Sequence, residues 1–141
     1  MPNASPMLAP VVALVIWSAI IWAWMYATRI PAIIKARMVL EPTAPRGEQM
    51  AQLPPKVRWK ADNYNHLMEQ PTLFYAIAIS LAVLGDQSTA SVALAWAYVG
   101  LRVVHSLVQV TWNNIQTRFA LFFVSSLLLF GLVYQAALRV F

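Results

Sequence analysis

Arg102 and His105 stand three residues apart inside Ala90–Trp112, a stretch that is otherwise lipid-soluble. At that spacing they share one face of a helix, and Gln109 extends the stripe, with Tyr98 a turn earlier and Asn113 a turn later. A charge in hydrocarbon costs about 3 kcal/mol even on lenient insertion scales, so these side chains should face a bundle interior or a wet cavity. A second group, Asp62, His66 and Glu69, recurs at i, i+4, i+7. Guanidinium, imidazole and carboxylate groups gathered around one cavity suit ligand binding or proton handling. Pro71 follows closely and lacks an N–H. The carbonyl of Leu67 therefore loses its helical donor, which predicts a kink and a spare acceptor beside Glu69.

Arg29 and Arg118 fall at the ends of apolar segments, so one carboxylate and up to three guanidinium groups can reach a common site. Plainer readings stand beside this one. Glu69 and Arg102 can neutralise each other between helices, and His105 can be a satisfied core histidine. Arg29 and Arg118 can snorkel to phosphates. Ser125 and Ser126 read first as helix-packing residues. Two histidines far apart in sequence, and no cysteine, leave no metal-ligand spacing.

The elements that must position these groups are membrane helices. The chain has 141 residues, 60% of them apolar and 11% charged, which fits one small membrane domain over 1–141 and argues against a soluble fold. A span needs about 20 apolar residues, and four segments qualify: roughly 7–28, 66–85, 90–112 and 119–138. Residues 1–28 carry no charge, so the first is expected to be a retained span rather than a cleaved signal. Gly85–Thr89 and Asn113–Thr117 make short turns between antiparallel neighbours. The long connection, about 29–62, is basic, and four prolines should make much of 41–55 irregular.

The net charge of +5 resembles that of a nucleic-acid binder, but its location does not: eight of the ten basic residues lie on the side bearing the first and third loops. The positive-inside rule puts those loops in the cytoplasm and both termini outside. Trp22, Trp24, Tyr26, Trp59, Tyr64 and Trp112 gather at the same end, as an aromatic belt would. The expected partners are membrane lipids and a lipophilic small molecule, with no nucleic acid.

The run Asp62–Tyr75 (DNYNHLMEQPTLFY), with Leu101–Ser106 (LRVVHS) and Asn113–Arg118, resembles the MAPEG family, membrane-associated proteins in eicosanoid and glutathione metabolism, and most of all its bacterial members. That resemblance implies an all-α transmembrane four-helix bundle assembled as a homotrimer, with sites between subunits near the cytoplasmic face of a bacterial inner membrane. It implies glutathione as co-substrate, with Arg29, His66, Glu69, Arg102 and His105 around it and Arg118 as the residue that stabilises its thiolate. His66 stands where the family pattern has asparagine, Asp62 where the eukaryotic enzymes have a glutathione-contacting arginine, and Gln109 where one branch has tyrosine.

Two functions follow. One is a glutathione-dependent transferase or peroxidase acting on lipophilic electrophiles. The other, favoured by Asp62 and His66, is a non-catalytic protein that binds a lipophilic ligand or partner on the same scaffold. A proton- or ion-conducting bundle built on Glu69 and His105 is a third reading.

Overall fold

Length and apolarity carry three helices across a bilayer-sized distance. In the computed structural model, which describes residues 4–141, these are α1 (Leu8–Lys35), α4 (Thr89–Thr111) and α5 (Ile115–Val140). At 1.5 Å per residue each exceeds a hydrocarbon core of about 30 Å. Between α1 and α4 lie a single 3₁₀ turn (Met50–Gln52), α2 (Pro55–Leu67) and α3 (Pro71–Val83), and the described residues contain no strand. The molecule is an all-helical membrane bundle.

The expected second span, 66–85, is therefore not one helix. Pro71 cannot donate to a preceding carbonyl, so α2 stops at Leu67, and Pro71 restarts the chain as the first residue of α3, where a missing N–H costs nothing. The break is fuller than a kink. Beside the Leu67 carbonyl, which Pro71 leaves without its helical donor as expected, the carbonyl of His66 takes the N–H of Glu69 at 3.3 Å and Nη2 of Arg102 at 3.4 Å.

Local chemistry sets the other ends. Ser88 accepts from the N–H of Ser91 and Asn114 from that of Thr117, each as a helix N-cap. The Asn114 cap starts α5 earlier than the apolar run and places Arg118 in its first turn. Gly85 closes α3 at φ +73, a left-handed position glycine fills without strain, and the N–H of Asp86 returns to the carbonyl of Leu81. The first helix runs past the expected end at Thr28, through Pro31, to Lys35.

The core is a seam of Leu14, Ile21, Leu67, Phe74, Leu81, Tyr98, Leu129 and Leu132, all nearly or wholly buried. Phe74 stacks on Tyr98 at 4.6 Å between ring centroids. Outside the seam, large apolar side chains cover the surface of α1 and α5, as expected where the solvent is lipid. At one end Arg139 Nη2 meets Asp86 Oδ1 at 2.8 Å, and at the other the chain turns through the basic connection and the α4–α5 corner.

Candidate functional site

Tyr98, Arg102, His105 and Gln109 form one buried stripe of α4, facing the bundle interior. Arg102 has no exposed surface. Its guanidinium carbon lies 5.9 Å from the Tyr98 ring centroid and 5.7 Å from that of Phe122, a cation held between two aromatic faces. Its Nε and Nη1 have no acceptor, and its one hydrogen bond goes to the carbonyl of His66. A buried donor left without a partner costs about 1–3 kcal/mol, so the arginine is held by packing rather than by charge pairing.

The carboxylate expected opposite it lies elsewhere. Glu69 is 69% exposed and meets His66 Nδ1 at 3.3 Å, so the Glu69–Arg102 pair does not form within the chain. The helix break explains this, because Glu69 lies beyond the end of α2 rather than a further turn along it. The carboxylate instead fixes the imidazole, leaving Nε2 of His66 buried without a partner.

His66 from α2 and His105 from α4 then stack, with ring centroids 4.8 Å apart and planes tilted by 33°. Together with Arg118, Ile115, Phe119 and Phe122 of the first turns of α5 they line an open cavity of about 240 Å³. Arg118 is fixed there by Nη1 donating to Oδ1 of Asn113 at 2.7 Å. Asn113 takes φ +53, a left-handed conformation that asparagine tolerates better than most residues. The cavity sets the two imidazoles and the Arg118 guanidinium against the apolar Ile115, Phe119 and Phe122, an arrangement suited to an anionic or polarisable head joined to an apolar body.

Four of the six expected site residues are thus brought together: His66, His105 and Arg118 on the wall, with Arg102 hydrogen-bonded to the backbone of His66 behind it. Two are not. Glu69 is on the outer surface, and Arg29 lines a separate cleft with Asp62, Arg46 and Arg58. Asp62 and His66, expected on one face with Glu69, line different cavities.

Other polar residues support the site without an individual sequence signal. Wholly buried Asn63 accepts from the Ser106 hydroxyl at 3.1 Å, tying α2 to α4. Gln70, in the break, donates to Ser126 Oγ at 2.8 Å and accepts from the Tyr98 hydroxyl at 3.4 Å, tying the break to α5 and α4. Ser126 is therefore more than a small packing residue. A polar residue on an otherwise apolar face was the available hint for Asn63 and Ser106, but it does not name their partners.

A family model described as MAPEG family matches residues 7–138, nearly the whole chain. No curated protein and no solved structure matches it.

Proposed function

The chain belongs to the MAPEG family, and on that premise we propose that it is a membrane-embedded, glutathione-dependent transferase or peroxidase acting on lipophilic electrophiles. The observation that carries this reading is the wall formed by Arg118, His66 and His105 against Phe119 and Phe122.

The residues fit a thiol-bearing peptide on chemical grounds. Free thiols ionise near pH 8.5, and a neighbouring guanidinium favours the nucleophilic thiolate. Arg118, held by Asn113, supplies that guanidinium. The Arg118 guanidinium and the imidazole edges of His66 and His105 offer the mixture of donors and acceptors that a peptide backbone needs. Phe119, Phe122 and Ile115 give the reacting end an apolar wall suited to a lipid-dissolved substrate. With an activated aryl halide, a carbon–sulfur bond forms and halide leaves.

A cavity of about 240 Å³ is smaller than the ~300–1,000 Å³ of sites that enclose a drug-sized ligand, so one chain offers only part of the site. A homotrimer, in which a neighbour closes the open wall, supplies the rest and gives exposed Glu69 something to face. The same reading makes the chain one membrane domain over 1–141, with its basic connection in the cytoplasm, both termini outside and the bacterial inner membrane as its setting.

The test is conjugation of a chlorinated nitrobenzene, or reduction of a lipid hydroperoxide, by purified protein. Wild type should turn over, and Arg118→Ala should lose about 100-fold in rate, the scale of one preorganised charge-stabilising group. No turnover above buffer, together with no calorimetric binding of glutathione, rejects the proposal. Asp62 in place of a glutathione-contacting arginine favours a second reading, a non-catalytic site for a lipophilic ligand. Binding of a fatty-acid-like ligand that survives Arg118→Ala, with no thiol chemistry in wild type, would select it.

A further inference from the structure

Arg58, Ala61, Asp62 and Asn65 recur at helical spacing on α2 and form one wall of a cleft separate from the histidine cavity. Arg29 of α1 and Arg46 of the connecting loop complete it, around a volume of about 350 Å³.

The loop that brings Arg46 there is built rather than slack. Pro45, Arg46, Gly47 and Glu48 form a turn with Gly47 at φ +85, the left-handed third position of a type II turn, closed by Glu48 N–H to the carbonyl of Pro45 at 3.1 Å. Gln49 clips the preceding strand of loop, donating to the carbonyl of Val39 at 2.7 Å and accepting from the N–H of Glu41 at 3.1 Å.

Three guanidinium groups therefore converge on a cleft that contains one carboxylate, Asp62. Among the described residues the ion pairs are His66–Glu69 and Asp86–Arg139, so none of these arginines is paired with an acid. The Nε atoms of Arg29 and Arg58 are buried without acceptors. Three like charges brought together, two of them with a buried unpaired Nε and Arg46 exposed at the mouth, repel one another unless an oxygen-rich anion meets them.

Depth points to the same chemistry. Arg29 lies roughly 30 Å along α1 from Leu8 at 1.5 Å per residue, just past one hydrocarbon thickness. Exposed Trp22, Trp24 and Tyr26 precede it, side chains that settle at headgroup level. Planar guanidinium forks bind phosphate oxygens in pairs, which suits them to such a group better than lysine.

We propose that this cleft binds a phosphate anion at the membrane surface, carried by an anionic phospholipid headgroup or free in solution. Arg29, Arg46 and Arg58 supply the charge, Asn65 a side-chain amide donor, and Asp62 sets an upper limit on affinity by repulsion. Within one chain the cleft shares no lining residue with the histidine cavity.

The test uses the full chain, delipidated in detergent, with binding of phosphatidylglycerol, phosphatidylcholine and inorganic phosphate each measured by native mass spectrometry or calorimetry. Selective retention of phosphatidylglycerol over phosphatidylcholine identifies a lipid source. Saturable inorganic phosphate with no such selectivity identifies a free one.

In either case Arg46→Ala and Arg58→Ala should each weaken binding about fivefold, the effect of one surface guanidinium at an anionic membrane. Asp62→Asn should strengthen it by a similar factor, an outcome that a misfolded variant cannot mimic. Arg37→Ala, on the same basic connection but outside the cleft, should leave binding unchanged. Thiol conjugation should persist in Arg46→Ala, which separates a failure here from a failure of the proposed function. The inference is overturned by absence of binding to both phosphatidylglycerol and phosphate, or by equal losses in Arg37→Ala and Arg46→Ala, which would mark a diffuse basic field.

Discussion

A buried arginine with two orphaned donors and a pair of stacked imidazoles are side chains that a purely structural bundle would avoid, since apolar residues of similar volume would pack at lower cost. That polar stripe was legible in the sequence because charge inside an apolar run has few explanations, and Arg102, His105 and Gln109 are all buried as their spacing predicts. Their partners were not legible. Spacing along α4 says which side chains share a face, but a carboxylate on another element can be assigned only once that element's path is known. Glu69 was misassigned to Arg102 for that reason. Asn113 gives a clean test at this scale. Asn113→Gly keeps the left-handed backbone and removes the acceptor that holds Arg118. Thermal stability in detergent should change little while turnover falls, with kcat affected more than KM. Unchanged kcat would show that Arg118 needs no positioning.

Among the elements, the break between α2 and α3 decides the most. Pro71 was readable as a disturbance, yet the sequence could not show that the chain reorganises over Met68–Gln70 and passes the His66 carbonyl to Arg102. Gln70 holds that break to α5, so Gln70→Ala should lower stability by about 1 kcal/mol, as interhelical hydrogen bonds in membranes do. Ser126→Ala should cost about the same and the double variant no more than the larger single. Additive losses would show that the two side chains do not act as a pair. At the far end, Asp86 anchors the α3–α4 turn to Arg139. Burial would raise its carboxyl, but hydrogen bonds from Ser91 and Ser88, with the Arg139 charge, outweigh that and hold it below the usual carboxylate range. A depressed carboxyl contributes stability above the unfolded value near pH 3.9 and loses it as pH falls through the folded value. The stability gap between wild type and Asp86→Asn should therefore be flat from neutrality to about pH 4 and close below it. A gap that closes between pH 6 and 8 would contradict the assignment.

For the whole molecule, four apolar segments predicted a membrane bundle and the family model agrees over residues 7–138. Three of the segments became helices longer than the bilayer requires, while the second was divided by its proline. Helix ends depend on caps such as Asn114, whereas apolar runs record only where lipid begins, so α5 starts four residues before its apolar run while α4 matches its run to within a residue. The separation of Arg29 from the histidine cavity was beyond the sequence, because it depends on how the proline-rich connection folds back over α2. The proposed homotrimer, which rests on the family resemblance, predicts that the solubilised protein runs as three copies by native mass spectrometry. A monomer that binds glutathione as tightly as the assembly would remove the reason for a trimer. Stabilisation of a thiolate by Arg118 is tested most directly by the ultraviolet absorbance of glutathione bound to the protein, followed as a function of pH. The account predicts that the bound thiol ionises below its free value near 8.5 in wild type and returns towards it in Arg118→Leu. Bound glutathione that shows no thiolate band at neutral pH, or the same band in both proteins, would contradict it.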